Sequence, residues 1–179
     1  TPDEKQRNAV KSAGENGFSI ITGGPGTGKT TIIRCVLHYL RSIGVKCLLA
    51  APTGRAAKRM SEACGEEART IHRLLEINSN LEEEQDELSF KRNELNPLDC
   101  DAVILDESSM IDMVLFYHLL RAVKPGTRLI MVGDVDQLPS VGPGAVLSDC
   151  IASGVFNTVI LEEIYRQETE SLIPVNAYR

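Results

Sequence analysis

A glycine-rich segment, Gly23-Gly24-Pro25-Gly26-Thr27-Gly28-Lys29-Thr30, has the residue types and spacing of a phosphate-binding loop, G-x-x-x-x-G-K-[ST]. Glycines carry no Cβ, so consecutive backbone N–H groups can turn towards a polyphosphate. Lys29 can reach the outer phosphates, and the hydroxyl of Thr30 can bind Mg²⁺. The segment therefore predicts a site for ATP with Mg²⁺.

The elements on either side of this loop favour the same interpretation. The apolar run at 18–22 predicts a strand, and the run that starts at Thr31 predicts a helix whose positive N-terminal end attracts anions. A glycine-rich turn without a ligand would also match the spacing, but it would not require a strand before and a helix after. We expect nucleotide contacts from Gly24, Pro25, Gly26, Thr27, Gly28, Lys29, Thr30 and Thr31.

Two acids, Asp106 and Glu107, follow another apolar run at 102–105. An apolar strand that ends in two acids is typical of the second half of a P-loop ATPase site. There Asp106 would hold Mg²⁺ together with Thr30, and Glu107 would polarise the attacking water. The alternative is that the two acids only open the following helix, where negative charge is also favourable.

A third strand-tip segment contains Gln137, after the apolar run at 128–133. A glutamine at this position can contact both the γ-phosphate and its attacking water, and would then sense whether ATP is bound. An ordinary turn would explain the glycines, aspartates and prolines of the segment. It would not explain why a second strand ends in polar side chains.

The arrangement of the predicted elements indicates how these side chains come together. The strands are short continuous apolar runs, which suits a parallel sheet covered by helices on both faces. We therefore predict a doubly wound α/β domain with its ligand at the carboxyl ends of the strands. Strands are predicted at 18–22, 46–51, 102–105, 128–133 and 158–161. Helices are predicted at 7–13, 31–43, 54–64, 68–75, 111–123 and 144–153.

Composition limits the classes of protein that fit. The chain has 179 residues, 42% of them hydrophobic, which suits one domain over 1–179. The sequence has no apolar stretch long enough for a membrane span and no signal peptide pattern, so we expect no membrane partner. Five scattered cysteines without a C-x-x-C pair favour reduced thiols and a cytoplasmic location over disulfides or zinc.

The net charge of −6 is unevenly distributed. Residues 76–94 contain seven acidic and two basic residues, so this segment carries −5 and the rest of the chain about −1. We interpret about 78–96 as an acidic surface insertion with a small hairpin near 88–91. It is either a solvated loop or a face for a partner. Residues 54–73 contain five basic residues against three glutamates, so a locally basic groove for nucleic acid is compatible with the overall charge.

Six segments in order give the sequence a specific family resemblance. The chain resembles the first RecA-like motor domain of superfamily 1 DNA helicases, in particular the RecD-like group, the alpha subunit of exodeoxyribonuclease V. Serine at position 108 is a mild departure from the alanine common in that group. The matching segments are the loop 23–31, Ala51-Pro52-Thr53-Gly54-Arg55-Ala56-Ala57, Thr70-Ile71-His72-Arg73-Leu74-Leu75, Asp106-Glu107-Ser108-Ser109-Met110, Gly133-Asp134-Val135-Asp136-Gln137-Leu138-Pro139 and Tyr165-Arg166-Gln167.

The resemblance implies roles near the nucleotide for two further residues. Gln6 matches a glutamine that reads the adenine edge, which a side-chain amide can do because it offers both a donor and an acceptor. Its alternative is a solvated position on a helix. Arg166 matches an arginine that reaches the γ-phosphate, where a cation stabilises transition-state charge. Its alternative is a surface arginine.

The resemblance also implies contacts to single-stranded DNA. The residues that match such motifs are Pro52, Thr53, Gly54, Arg55, Thr70 and His72. The sequence leaves two alternatives open: Arg55 could pair with an acid, and His72 could be a core or capping residue. ATP hydrolysis would drive translocation on single-stranded DNA and duplex unwinding, in the 5′-to-3′ direction for this group.

Further partners follow from the same resemblance. Helicases of this kind have a second RecA-like domain in the same protein, and we expect it as a partner of this chain. We also expect little ATP hydrolysis from residues 1–179 alone. Other exonuclease subunits are a further option for the RecD-like group. Two other classes remain open: a P-loop ATPase or small-molecule kinase that is not a helicase, and an interaction module that uses the acidic segment.

Overall fold

One parallel sheet organises the computed structural model, which describes residues 4–77 and 90–161. In these residues the strands number six: β1 Phe18–Gly23, β2 Cys47–Ala51, β3 Ala68–Thr70, β4 Ala102–Leu105, β5 Arg128–Gly133 and β6 Asn157–Leu161. The α-helices of the same residues are α1 Glu4–Glu15, α2 Lys29–Ser42, α3 Gly54–Cys64, α4 Ile71–Leu75, α5 Met113–Ala122 and α6 Val146–Ala152.

The strand order β3-β2-β4-β5-β1-β6 places β5 between β1 and β4. Thr22 of β1 lies level with Gly133 of β5, and Leu105 of β4 lies level with Met131 of β5. Because all the paired strands are parallel, the loops after β1, β4 and β5 leave the sheet at the same edge. This edge is where the phosphate-binding loop and the two strand-tip segments meet.

The sheet is buried on both faces because its strands alternate their side chains between two clusters. Ile20 and Leu105 point into a cluster formed with α4, α5 and α6, whereas Ile21 and Ile104 point into a cluster formed with α1, α2 and α3. All four of these side chains are 0% exposed. Complete burial of such a side chain stabilises the fold by about 1.5–3 kcal/mol, so the two clusters hold the strand tips in a fixed relation.

The predicted fold class is confirmed, and most of the predicted elements lie within a few residues of those observed. Helix α3 has the predicted bounds. Helix α5 begins two residues later than predicted because the carboxylate of Asp112 accepts the Leu115 N–H and caps the helix.

One predicted element is wrong. Residues 68–75 were predicted as a single helix, but residues 68–70 form the edge strand β3 and only α4 is helical. On the side of β2 away from β4, residues 68–70 pair with the β2 backbone, and Leu49 lies opposite Ala68. The side chain of Thr70 then caps α4, so the helix starts only after it.

No helix within the described ranges combines the length and the apolar character that a membrane crossing requires. All five cysteines of the chain are free thiols. The predicted hairpin near 88–91 lies partly outside the described residues. Just beyond that gap, Phe90 forms an isolated antiparallel bridge with Ile77.

Candidate nucleotide site and neighbouring basic surface

The start of α2 presents unpaired backbone donors to the phosphate-binding loop. Gly28 is the N-cap residue of α2, with φ 87° and ψ 22°, and no side chain hydrogen-bonds to the first turn of the helix. This left-handed conformation strains any residue with a Cβ, which is why glycine is required there. A helix start without a capping side chain leaves N–H groups that a phosphate can satisfy.

Lys29 folds back on the loop that precedes it. Its Nζ donates hydrogen bonds of 2.7 Å to the carbonyl oxygens of both Gly23 and Gly24. The hydroxyl of Thr27, which is buried, also donates to Gly24 O, at 2.9 Å. These contacts fix the shape of the loop from inside and keep the lysine ammonium beside it.

Gln6 lies against this loop, although it is 22 positions before Gly28 in the sequence. Its side chain is buried, and a Cβ on Gly28 would come within 3.0 Å of Gln6 Nε2. The alternative of a solvated position on α1 is therefore excluded. Its predicted contact with adenine remains a prediction.

Asp106 and Glu107 leave the end of β4 towards the same edge of the sheet. The Glu107 N–H donates to Asp106 Oδ1 at 2.8 Å. Burial raises the pKa of the Asp106 carboxyl, while this hydrogen bond and the Arg59 and Lys29 cations act in the opposite direction. Glu107 directly precedes a short 3-10 helix, Ser108–Met110, but its side chain makes no capping hydrogen bond there, and Asp112 caps α5.

Glu107 has a strained backbone conformation. Its φ of 51° lies in the left-handed region, which is uncommon for a residue other than glycine. Strain of this kind costs about 1–3 kcal/mol and persists where surrounding structure imposes it, often at functional sites.

Arg59 of α3 contacts Glu107, a contact that the sequence did not predict. A guanidinium nitrogen, Nη2, donates to Glu107 Oε1 at 2.8 Å. The sequence signals for Arg59 are its place in the basic segment 54–73 and its position four residues after Arg55, one helical turn along α3.

The segment after β5 is held by a buried carboxylate. Asp134 is 3% exposed, and its Oδ1 accepts the Asp136 N–H at 2.9 Å. The Gln137 N–H donates to the Asp134 carbonyl oxygen at 3.3 Å. Asp134 was part of a matching segment without an assigned role, and the structure gives it one: it fixes the turn that carries Gln137.

The strand-tip residues line one cavity of about 390 Å³. This volume is within the roughly 300–1,000 Å³ typical of small-ligand pockets. The side chains around it come from all three loops and from α2 and α3. They are Lys29, Thr30, Ile33, Arg59, Met60, Ala63, Cys64, Asp106, Glu107 and Gln137.

These residues fit a nucleotide with a magnesium ion. The uncapped start of α2 and the Lys29 ammonium suit phosphates, and the Asp106 carboxylate with the Thr30 hydroxyl supplies the hard oxygen ligands that Mg²⁺ prefers. Within the described residues no cluster of three or more His, Cys, Asp or Glu side chains could hold a metal alone.

Of the nine residues predicted to contact the nucleotide, only Lys29 and Thr30 line this cavity; Gln6, Gly24, Thr27 and Gly28 are not among its lining residues. Thr31 faces an adjoining cleft between α2 and the end of α3. Pro25 and Gly26 are exposed on the loop. Arg166 lies outside the described residues.

The predicted DNA-contact residues lie where β2 and β3 end. Ala51 of β2 pairs with Thr70 of β3, so both strands stop at the same level. Thr53 caps α3 by accepting the Ala56 N–H at 3.2 Å, and Thr70 caps α4 by accepting the Arg73 N–H at 3.2 Å. Each hydroxyl still has its own O–H to donate.

Cations near these helix starts are available to an anionic ligand. Gly54 and Arg55, in the first turn of α3, are exposed, and Pro52 is half-buried. Within residues 4–77 and 90–161, neither Arg55 nor Arg73 has an ion-pair partner, so the alternative that Arg55 pairs with an acid has no support there. The His72 ring packs 6.0 Å from the Phe90 ring.

Comparisons with known proteins agree with this geometry. A family model described as AAA domain matches residues 6–143. The ATP-dependent RecD2 DNA helicase of Deinococcus radiodurans is 38% identical over 170 residues, covering 95% of this chain and 22% of the relative. The RecBCD enzyme subunit RecD of Mycolicibacterium smegmatis is 39% identical over 171 residues, covering 83% of this chain and 30% of the relative.

A solved structure supports the fold over almost the whole chain. Unliganded Pif1 from Bacteroides sp has a TM-score of 0.61 and 27% identity, and the match covers 98% of this chain and 44% of that one. The chain thus spans less than half of this structure and less than a third of the two relatives. The chain belongs to the AAA domain family, as a RecA-like domain of the RecD-like type found in superfamily 1 helicases.

Proposed function

We propose that this chain is the first motor domain of a RecD-like DNA helicase. In a longer protein it would couple ATP hydrolysis to translocation on single-stranded DNA and to duplex unwinding. The observation that carries the proposal is the cavity in which Lys29, Asp106, Glu107 and Gln137 meet beside the uncapped start of α2.

The residues in and beside this cavity have separate roles in phosphoryl transfer. The N–H groups at the start of α2 and the Lys29 ammonium bind the phosphates, and Gln6 orients the base at the edge of the loop. Thr30 and Asp106 would hold Mg²⁺, which would neutralise charge that develops on the phosphate oxygens. Glu107 accepts a hydrogen bond from the attacking water and orients it.

Gln137 links the cavity to the rest of the domain. Its loop is anchored by the buried Asp134 at the end of β5, between the strands that carry the phosphate-binding loop and the acids. A change at the γ-phosphate therefore reaches the central strand of the sheet through one short turn.

Single-stranded DNA is the proposed second ligand. The hydroxyls of Thr53 and Thr70, together with Arg55, provide donors and positive charge for backbone phosphates at the ends of β2 and β3. Pro52, Gly54 and His72 complete the proposed contact surface. The name of one relative, a DNA helicase, supports nucleic acid as the ligand.

A second RecA-like domain of the same protein is the proposed partner across the nucleotide cavity. In that arrangement Arg166 adds a cation at the γ-phosphate. A cytoplasmic location is supported by the free cysteines, since reduced thiols are usual there. Other exonuclease subunits remain an option for the longer protein.

The decisive experiment measures ATP hydrolysis by the full-length protein with and without single-stranded DNA. We expect DNA to raise the hydrolysis rate at least tenfold. The reason is that the catalytic site of such an enzyme is completed only when DNA is bound. If DNA changes neither hydrolysis nor nucleotide affinity, the helicase proposal fails, and a different P-loop ATPase or a small-molecule kinase becomes the better reading.

A further inference from the structure

Arg59 and Glu107 form an ion pair inside the nucleotide cavity, with 2.8 Å between Nη2 and Oε1. We propose that Arg59 is a positioning residue that restrains Glu107 in the resting site, and that single-stranded DNA bound at the start of α3 releases it. The inference rests on the proposed function and adds a regulatory contact to it.

The geometry makes the restraint chemically meaningful. An attacking water must hydrogen-bond to a carboxylate oxygen of Glu107, and the guanidinium already occupies one of them. The strained backbone at Glu107 limits where its side chain can go, because φ is fixed at 51°. The ion pair therefore holds one of the two carboxylate oxygens, Oε1, and with it the orientation that the carboxylate presents to the water.

The pair is weak enough to be broken. The Arg59 side chain is 62% exposed and that of Glu107 is 18% exposed. A pair of this kind shifts an equilibrium by up to about fivefold in water, because solvent screens the arginine. A few phosphate contacts at the start of α3 can exceed this.

Helix α3 connects the two ligands physically. Its first turn carries Arg55, and Arg59 lies four residues later on the same side of the helix. Ala56 and Ala57 pack closely against Ala51 at the end of β2, so the helix rests directly on the sheet. A shift or rotation of 1–2 Å in a packed helix, of the order seen in known switches, moves both arginines together.

The test uses the full-length protein and three variants. Arg59→Ala removes the restraint, and Arg59→Lys keeps the charge but not the planar guanidinium. Lys58→Ala is the matched control, because Lys58 is the neighbouring exposed cation of α3 and has no ion-pair partner in the described part of the chain. Hydrolysis is measured without DNA and with saturating oligothymidylate, at varied ATP concentration.

We expect Arg59→Ala to raise the DNA-free kcat by about two- to fivefold, with kcat at saturating DNA and the KM for ATP unchanged within twofold. Arg59→Lys should give an intermediate value, and Lys58→Ala should match the unmodified protein. Because DNA must break the pair in order to bind fully, Arg59→Ala should also bind oligothymidylate about two- to fivefold more tightly without nucleotide, despite the lost positive charge.

Three results would overturn the inference. A DNA-free kcat that is unchanged or lower in Arg59→Ala means that Glu107 is not restrained. A raised KM for ATP means that Arg59 binds the nucleotide itself, and weaker DNA binding means that it contacts DNA. Failure of the proposed function is recognised separately, because the unmodified protein would then show no response to DNA.

Discussion

The start of α2 and the starts of α3 and α4 lie along one edge of the sheet, but their first-turn N–H groups have different partners. Helices α3 and α4 are capped by their own threonines, Thr53 and Thr70. Helix α2 has Gly28 at the N-cap position and no capping side chain. Each capping threonine satisfies one first-turn N–H without a ligand, whereas no side chain does so at the start of α2.

This difference separates stability from binding. A capping threonine contributes to folding whether or not a ligand is present, and it can offer a ligand only its remaining O–H. The start of α2 has no capping side chain, so its first-turn donors are available to a ligand. Substitutions at a capped helix start should therefore lower stability, whereas substitutions at the start of α2 should mainly weaken ligand binding.

The largest effect is expected for Glu107→Gln, which keeps the side-chain size but removes the basic oxygen. Hydrolysis in the presence of DNA should fall by about 10²- to 10³-fold, while nucleotide affinity changes only a few-fold. Single-turnover hydrolysis with saturating ATP measures this. Glu94→Gln is the matched control, since Glu94 is also paired with an arginine, Arg121, outside the cavity. Unchanged turnover in Glu107→Gln would remove Glu107 from its role.

Lys29→Ala should weaken ATP binding by about 10- to 100-fold, because a hydrogen bond from a charged group contributes about 1.5–3 kcal/mol. Titration with a fluorescent ATP analogue measures the affinity. Lys11→Ala, at an exposed lysine of α1, should leave it unchanged. Equal affinities for the Lys29 variant and the unmodified chain would contradict the phosphate-binding assignment of the loop.

Arg55→Ala tests whether the capped start of α3 contacts DNA. Single-stranded DNA should bind several-fold more weakly, and the salt dependence of binding should lose about 0.7 from its slope, as for one phosphate contact. Fluorescence anisotropy at several salt concentrations gives both numbers. Arg121→Ala removes the same charge from α5 and should change neither. A slope that stays the same would exclude Arg55 from the contact surface.

Thr70→Ala should lower the free energy of unfolding by about 1 kcal/mol through loss of the α4 cap. The same change at Thr30, in the uncapped helix α2, should alter stability by less than about 0.5 kcal/mol. Denaturant unfolding without nucleotide measures both. Equal losses for the two variants would mean that the capped and uncapped helix starts do not differ as described.

Cys64 offers a small but direct probe of the cavity it lines. Burial raises the pKa of its thiol, so alkylation should be slow at neutral pH and accelerate as pH rises and the thiolate forms. ATP with Mg²⁺ should slow this reaction at least twofold. Cys150, which is half-buried and outside the cavity, provides the reference. Protection of both thiols would indicate a global change, and protection of neither would place the nucleotide elsewhere.

The elements that carry the site could be predicted because their signals are local. The loop 23–30 needs glycines at fixed spacing, and apolar runs that end in Asp106 or before Gln137 mark strand tips in a parallel sheet. The short strand β3 was missed because three residues with no apolar pattern become a strand only where β2 offers an open edge. Propensity alone favoured continuing the helix.

The sequence by itself determined the phosphate-binding loop, the parallel α/β class and the family, because these depend on residue types at short, fixed spacings. Only the tertiary structure decided that Gln6 lies beside Gly28 and that Arg59 pairs with Glu107 across 48 positions of the chain. The physical reason is that each of these contacts depends on how separate loops and helices pack at one edge of the sheet, and no local pattern encodes that distance.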